Sequence, residues 1–249
     1  MQTQVLLITG ASRGIGAATA VAAAAAGWDV AVNYTRDAAA AQAVVQQVQA
    51  LGRRAFALQA DVADDAQVLA LFAAVDEQLG RVSGLVNNAG VVDVASRLDG
   101  MSAARIQRMF AVNVFGTMAA SKQAVLRMST RHGGAGGAIV NLSSAAARLG
   151  AGGQYLDYAA AKGAIDVFTL GLAREVAAEG IRVNAVRPGI IETDIHASGG
   201  QPGRAAQMAP AVPMQRAGSA AEVAAAILWL LSPAASYTTG AVLDVTGGR

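Results

Sequence analysis

The stretch Val5-Leu6-Leu7-Ile8-Thr9-Gly10-Ala11-Ser12-Arg13-Gly14-Ile15-Gly16 decides the fold of this chain. Its apolar start predicts a buried strand, and the alanine-rich residues after Gly16 predict a helix that begins at once. In the turn, Gly10 permits a sharp bend, Gly14 permits close approach of a ligand, and Gly16 lets the helix pack near the strand. The unpaired N–H groups at the start of the helix favour an anion, and a dinucleotide pyrophosphate fits that site.

The spacing of these glycines leaves a second interpretation open. The pattern is Gly-x-x-x-Gly-x-Gly, which differs from the Gly-x-Gly-x-x-Gly of the common dinucleotide fingerprint and lacks the Lys-Ser/Thr of a P-loop. Glycines in this pattern can also serve only a tight turn between strand and helix. Evidence from the rest of the chain is needed to decide between the two.

The composition fits one α/β domain that spans residues 1–249. Hydrophobic residues make up 54% of the chain and charged residues 14%, which supplies a buried sheet and little material for a disordered tail. The net charge is +2, and lysine and arginine form no cluster, so neither nucleic acid nor an anionic membrane is expected as the partner.

The chain contains no cysteine, which excludes disulfides and thiolate metal sites. Its two histidines, His132 and His196, are far apart in the sequence and are expected to be solvated loop residues, so no metal site is predicted. The N-terminal residues lack the basic segment and apolar core of a secretory signal, and no membrane span is indicated. The cytoplasm is therefore the expected location.

Short apolar strands alternate with helices along the whole chain. Strands are predicted at residues 5–8, 29–33, 55–58, 84–87, 138–142 and 181–186, and near residue 242. Helices are predicted after residue 16 and at residues 37–51, 64–79, 102–129, 157–179 and 219–231. Because a helix follows each apolar strand, we expect a Rossmann-like, doubly wound parallel sheet of about seven strands with helices on both faces.

Polar residues follow the predicted strands, at the edge where ligands of such sheets bind. The residues expected there are Gly10, Asn88, Ser143 and Gly189. On the next helix, Tyr158 and Lys162 are four residues apart and therefore lie on one face. A lysine ammonium group near a tyrosine favours the phenolate and lowers the pKa of the tyrosine, which would suit proton transfer. An exposed i,i+4 pair without function is the alternative.

The chain resembles the short-chain dehydrogenase/reductase family over nearly its whole length. The motifs that carry the resemblance are Thr9-Gly10-x-x-x-Gly14-x-Gly16, Asn87-Asn88-Ala89-Gly90, Asn113, Ser144, Tyr158-x-x-x-Lys162 and Pro188-Gly189-x-x-x-Thr193. They occur in the order typical of that family. The resemblance implies hydride transfer between a nicotinamide cofactor and a carbonyl/alcohol pair.

The resemblance also implies the site residues. Tyr158 would be the acid/base, and Lys162 would lower its pKa and hold the nicotinamide ribose. Ser144 would contact the substrate carbonyl or hydroxyl, and Asn113 would order a water for proton relay. The implied cofactor contacts are Gly10, Ser12, Arg13, Gly14, Ile15, Gly16, Tyr34, Thr35, Arg36, Asp61, Val62, Asn88, Ala89, Gly90, Tyr158, Lys162, Pro188, Gly189, Ile191 and Thr193.

One spacing departs from the family pattern. Family members often have 13 residues from the serine to the tyrosine, whereas Ser144 and Tyr158 are 14 apart. Tyr155 therefore competes with Tyr158, but alanine follows it at the position where lysine is required. Ser143 stays open as a replacement for Ser144.

The end of the second strand, Asn33-Tyr34-Thr35-Arg36, favours NADP over NAD. No acid that could bind a ribose 2′-hydroxyl precedes Asp37, and Arg13 and Arg36 could bracket a 2′-phosphate. Asp61 and Val62 are expected near the adenine. NAD, with both arginines merely solvated, is the alternative.

Three further expectations concern the lid, the assembly and the substrate. Glycines and prolines between residues 190 and 217 predict a mobile substrate lid, and the apolar helices and terminal strand at residues 241–245 predict a homotetramer. The lid offers only Arg204 and Arg216 for a carboxylate or phosphate, so a small or medium neutral carbonyl compound is predicted as substrate.

Two alternative functions are left. One is a 3-oxoacyl-[acyl-carrier-protein] reductase. For this function, Glu179 would repel the acidic carrier while Arg127 and Arg131 could attract it. The other is a non-catalytic nucleotide-binding sensor, which is expected to lack the tyrosine or the lysine.

Overall fold

Seven strands form one parallel sheet in this computed structural model, which describes residues 4–249 apart from the side chain of His196. The strands are β1 (Val5–Ile8), β2 (Asp29–Tyr34), β3 (Ala55–Gln59), β4 (Gly84–Asn87), β5 (Gly137–Leu142), β6 (Ile181–Pro188) and β7 (Val242–Val245). Their order in space is β3-β2-β1-β4-β5-β6-β7. The predicted doubly wound, Rossmann-like sheet is therefore confirmed. The strand order reverses between β1 and β4, which is where such sheets bind ligands.

Helices connect the strands and cover both faces of the sheet. The α-helices of the described residues are α1 (Gly14–Ala25), α2 (Ala38–Ala50), α3 (Asp65–Gln78), α4 (Ala103–Phe110), α5 (Gly116–Met128), α6 (Ala146–Leu149), α7 (Leu156–Val176), α8 (Ile195–Ser198), α9 (Arg204–Met208) and α10 (Ala220–Leu231).

Strand β1 explains why the apolar runs are continuous rather than alternating. All four of its residues are buried, but they belong to two different cores. Leu6 and Ile8 pack in the core that contains α1, α2 and α10, whereas Val5 and Leu7 pack in the core that contains α3, α5 and α7. Because successive side chains of a strand point to opposite faces, a sheet covered on both sides needs apolar residues at every position.

The structure corrects one sequence prediction. The helix predicted at residues 102–129 is divided by a π-helical segment, Ala111–Phe115, because its backbone shifts to i→i+5 hydrogen bonds around Asn113. The segment at residues 190–217, predicted to be a mobile lid, contains the short helices α8 and α9. Pro188 is the last residue of β6. The proline carbonyl still accepts a hydrogen bond from Ala145 N, at 3.0 Å, although its nitrogen has no hydrogen to donate.

His132 lies exposed in a short 3-10 turn, as predicted, whereas the side chain of His196 lies outside the described residues. The His, Asp and Glu side chains that the structure describes form no group of three suited to a metal ion. No helix in the same range is both long and apolar enough to cross a membrane.

Candidate active site

The glycine turn is held in place by asparagine side chains. Gly10 and Gly14 have φ values of +61° and +57°, a backbone conformation that favours glycine. Gly10 N donates to Asn33 Oδ1 at 3.1 Å, and Asn33 Nδ2 donates to the carbonyl oxygen of Ala60 at 3.0 Å. Asn33 thereby ties the turn to β2 and to the end of β3. Sequence reasoning missed this role, although a polar residue that ends a buried apolar strand was a visible signal.

Asn88 closes the other side of the turn. Its Nδ2 donates to the carbonyl oxygens of Thr9, at 2.9 Å, and Gly10, at 2.8 Å. A Cβ atom on Gly16 would lie 2.5 Å from Asn88 Nδ2 and 2.7 Å from the carbonyl oxygen of Gly10. The close packing predicted for Gly16 is therefore confirmed.

Helix α1 begins directly above this turn without a side-chain cap. Arg13 occupies the N-cap position and makes no capping hydrogen bond, and the first turn of the helix contains no acid. The N–H groups at the start of a helix attract anions when no side chain satisfies them. These observations fit the pyrophosphate of a dinucleotide.

A cleft of about 490 Å³ opens at the carboxyl ends of the strands. The predicted site residues that line it are Ile15, Asn88, Gly90, Ser144, Tyr158, Lys162, Pro188, Gly189, Ile191 and Thr193. The predicted site residues that do not line it are Gly10, Ser12, Arg13, Gly14, Gly16, Tyr34, Thr35, Arg36, Asp61, Val62, Ala89 and Asn113. The cleft therefore brings together three of the four predicted catalytic residues, Ser144, Tyr158 and Lys162, whereas Asn113 and most of the residues expected near the phosphates and adenine lie outside it.

Tyr158 and Ser144 meet in this cleft. Burial raises the pKa of Tyr158, and the nearby Ser144 hydroxyl, which favours the ionised form, offsets only part of that effect. Lys162 is not a cause of this shift, which differs from the expectation that it would lower the pKa of the tyrosine. Tyr158 consequently keeps its proton at neutral pH in this structure.

Lys162 lies on the same face of α7 as Tyr158 and is almost fully buried. Its Nζ lies 5.6 Å from the centroid of the Tyr158 ring and donates to the carbonyl oxygen of Leu142 at 2.6 Å. Burial lowers the pKa of Lys162 to about 8, and the Asp166 carboxylate opposes that change. The ammonium group is thus positioned by the end of β5 rather than by a carboxylate.

The competing residues Ser143 and Tyr155 also line the cleft, but each has another partner. Ser143 is buried, and its hydroxyl donates to the backbone carbonyl of Lys162 at 3.2 Å, so Ser144 is the serine beside Tyr158. Tyr155 precedes α7, and its ring lies under the guanidinium group of Arg204, with Cζ 5.2 Å from the ring centroid. Ser144 and Tyr158 both line the cleft, and Ser144 is the serine that influences the pKa of Tyr158.

Asn113 lies behind the cleft in the π-helical segment. It is fully buried, and its Nδ2 donates to the carbonyl oxygens of Val91 and Met109, each at 3.0 Å. A Cβ atom on Gly90 would lie 2.8 Å from Asn113 Oδ1 and 3.6 Å from Lys162 Nζ. The glycine at position 90 therefore leaves space between these two polar groups.

At the far end of the predicted cofactor site, Arg13 and Arg36 are exposed and form no ion pair among the described residues. Asp37, the nearest acid, caps α2 by accepting from Ala40 N at 2.9 Å. The other predicted contacts at this end differ in burial: Tyr34 and Asp61 are half-buried, Thr35 is exposed and Val62 is buried. The carboxylate of Asp61 accepts a hydrogen bond from Ala63 N at 3.0 Å.

Thr193 connects the start of the predicted lid to the glycine turn. Its Cβ lies 3.5 Å from the position that a Cβ atom on Gly14 would take. Gly218 N donates to the carbonyl oxygen of Ile190, and Glu192 N donates to that of Gly218, each at 2.9 Å. The two ends of the segment are thus pinned together beside the cleft.

A doubly wound sheet with this glycine turn, and with Ser144, Tyr158 and Lys162 in one cleft, defines a class of protein: the oxidoreductases that use a nicotinamide cofactor. The family model described as "Enoyl-(Acyl carrier protein) reductase" matches residues 10–249. The chain belongs to the short-chain dehydrogenase/reductase family.

Individual proteins agree with this assignment. An uncharacterised oxidoreductase of Escherichia coli K12 is 52% identical over 245 residues, covering 98% of this chain and 99% of the relative. A 3-oxoacyl-[acyl-carrier-protein] reductase of Synechocystis is 39% identical over 249 residues, covering 100% of this chain and 97% of the relative. The crystal structure of a blue fluorescent protein from a metagenomic library, in complex with NADPH, superposes with a TM-score of 0.89 at 37% identity and covers 98% of this chain and 97% of its own.

Proposed function

We propose that this protein is an NADP-dependent oxidoreductase that interconverts a small-molecule carbonyl compound and its secondary alcohol. The observation that carries the proposal is that Ser144, Tyr158 and Lys162 line one cleft, with the buried Lys162 on the same helix face as Tyr158. NADP, when bound, supplies or accepts the hydride. The chain must then bind the carbonyl oxygen and move one proton.

The raised pKa of Tyr158 suits the direction of carbonyl reduction. A protonated Tyr158 can donate its hydroxyl proton to the carbonyl oxygen as negative charge develops there, while Ser144 donates a second hydrogen bond to the same oxygen. The phenolate that remains would be stabilised by the ammonium group of Lys162, which carries its proton below its pKa of about 8. Asn113 completes the proposed set by ordering a water behind Lys162.

The preference for NADP rests on charge. Arg13 and Arg36 are solvent-exposed guanidinium groups without an ion-pair partner among the described residues, and Asp37 is engaged as a helix cap. Arginine binds phosphate oxygens through a planar fork, whereas the ribose hydroxyl of NAD is usually bound by an acid. The NADPH-bound structural relative supports the same choice.

A reductase of carrier-bound 3-oxoacyl chains is the second candidate, and the Synechocystis relative favours it. The charges near the end of α5 do not favour an acidic carrier. Arg127 Nε is paired with Asp76 at 2.7 Å, and Arg131 lies 4.0 Å from Glu179, whose carboxylate also accepts from Ser129 Oγ. Because each arginine is partly neutralised, little net positive charge is left to attract a carrier.

The remaining parts of the proposal concern domain, assembly, lid and location. Residues 1–249 form one domain that acts in the cytoplasm as a homotetramer. Exposed apolar side chains on or beside α5 and α7 would be covered in that assembly: Phe115, Met118, Leu126, Val167 and Leu170. A monomeric mass in light scattering would contradict the tetramer. The segment at residues 190–217 would close over bound cofactor, and equal proteolysis with and without NADP would contradict that closure.

Activity profiling with Tyr158→Phe tests the function. We expect the wild type to oxidise NADPH with members of a panel of free ketones, sugars and acetoacetyl thioesters, and with higher kcat/KM than for NADH. Tyr158→Phe should lower kcat by roughly 10²- to 10⁴-fold, because it removes the hydroxyl group that carries the transferable proton. Tyr237→Phe, at a fully exposed tyrosine, is the matched control.

The outcomes separate the candidates. Near-wild-type turnover by Tyr158→Phe would refute the acid/base assignment. A strong, salt-sensitive preference for the carrier-bound thioester would replace the first candidate with the second. Binding of NADP without turnover of any substrate in the panel would favour the non-catalytic sensor.

A further inference from the structure

The substrate end of the cleft contains cations and no acids. Among its described lining residues, the charged side chains are Lys162, Arg204 and Arg249, and no aspartate or glutamate is present. Lys162 belongs to the proposed reaction centre, where it donates to the carbonyl oxygen of Leu142. Arg204 lies on the lid side, at the start of α9. An arginine in a cleft without a counter-charge is suited to an anionic ligand.

Arg204 is held in position entirely by neutral groups. Its Nη2 donates to Gln154 Oε1 at 2.9 Å, its Nη1 donates to Gln201 Oε1, and its Cζ lies 5.2 Å from the centroid of the Tyr155 ring. It forms no ion pair with a described carboxylate. Two of its five N–H groups are used in these hydrogen bonds, so the fixed guanidinium group keeps both its full charge and free donors.

The other arginine of the predicted lid differs in this respect. Arg216 pairs with Glu222 through both terminal nitrogens, at 2.6 and 2.9 Å, and it does not line the cleft. From the sequence, Arg204 and Arg216 were equivalent, and a neutral substrate was predicted. The structure separates them because the charge of only one is satisfied within the protein.

We infer that Arg204 binds an oxyanion group of the substrate, so that the physiological substrate is a carbonyl compound or alcohol that carries a carboxylate or phosphate. This inference rests on the proposed function and deepens it. Arg204, Tyr155 and Tyr158 line the same cleft. One substrate bound there can therefore place its oxyanion at Arg204 and its carbonyl group at Tyr158.

Paired substrates that differ in charge test this assignment. The probes are 4-oxopentanoate and 5-oxohexanoate, their methyl esters, and a ketone of the same length that ends in phosphate. The wild type should show kcat/KM at least about tenfold higher for an oxyanion ketone than for the neutral ester, because charge-assisted hydrogen bonds are strong. Added NaCl should reduce the preference. The ratio of carboxylate to phosphate turnover identifies which oxyanion is preferred.

Arg204→Gln, with Arg216→Gln as matched control, assigns the preference to one residue. Arg204→Gln should lower kcat/KM for the oxyanion ketone by about 10- to 100-fold, mostly by raising KM. The same substitution should change kcat/KM for the ester by less than threefold. Arg216→Gln should leave both values near those of the wild type. Equal losses for acid and ester in Arg204→Gln, or no preference in the wild type, would overturn the inference.

Calorimetric titration of the same probes into the protein, with and without NADP, separates this inference from the proposed function. Tighter binding of the oxo acid than of its ester, abolished in Arg204→Gln, supports the inference even if no probe is turned over, in which case the proposed reaction is wrong. Turnover of acid and ester with equal kcat/KM would support the proposed reaction and overturn the inference about Arg204.

Discussion

Replacing Lys162 by methionine should change how the free energy of unfolding depends on pH. Burial lowers the pKa of Lys162 from 10.5 to about 8 in the folded state. At pH 7 the lysine is charged in both states, and a difference of about 2.5 pK units corresponds to a cost of about 3 kcal/mol for holding that charge in the folded protein. Between pH 7 and pH 9.5, the free energy of unfolding of the wild type relative to that of Lys162→Met should therefore be lowest at pH 7.

The sign follows from proton binding. Between pH 8 and pH 10.5 the unfolded chain binds more protons at this lysine than the folded protein does, so the stability of the wild type rises with pH. Between pH 7 and pH 9.5, the wild type should gain about 2 kcal/mol relative to Lys162→Met. Loss of the hydrogen bond to the carbonyl oxygen of Leu142 adds a cost to Lys162→Met. That cost is nearly independent of pH, so the slope isolates the lysine charge.

Urea unfolding without cofactor at pH 7, 8, 9 and 9.5 measures this difference. Lys122, the other lysine of the chain, lies on the exposed surface of α5. Lys122→Met therefore controls for the loss of one positive charge. A difference between wild type and Lys162→Met that stays constant across this range would refute the reasoning.

Two further substitutions test the packing around the site. Gly16→Ala should destabilise the protein by about 1 to 3 kcal/mol and raise the KM for cofactor, because the new Cβ would lie 2.7 Å from the backbone oxygen of Gly10. A melting temperature at or above that of the wild type would contradict this prediction. Gly171→Ala is the control, because Gly171 has open space around it in α7. Arg105→Gln should lower the free energy of unfolding, measured with urea, by at least about 3 kcal/mol. The reason is that the nearly buried Asp157 loses the partner that binds both its oxygens, at 2.8 and 3.2 Å. A loss below about 1 kcal/mol would show that water or another group replaces Arg105.

Local sequence patterns were sufficient to predict the architecture and the elements that carry the candidate site. Apolar runs between glycine turns and helix caps predicted all seven strands, with errors confined to one or two residues at the ends. That success has a local cause, since strand and helix periodicity, glycine at positive φ and side-chain caps are properties of short segments. The glycine turn, Tyr158 and Lys162 were recognisable for the same reason, because their spacing along the chain already fixes their relative placement.

The partners of similar residues and the balance of each charge depend on the tertiary structure, not on the local sequence. Ser143 and Ser144 are adjacent, and the contact of Ser143 with Lys162 turns just one hydroxyl toward Tyr158. Burial, which depends on elements distant in the sequence, raises the pKa of Tyr158 where spacing alone predicted a lower one. Arg204 and Arg216 differ only in their neighbours. Ion pairing and desolvation are set by long-range contacts, so no local pattern could have distinguished these residues.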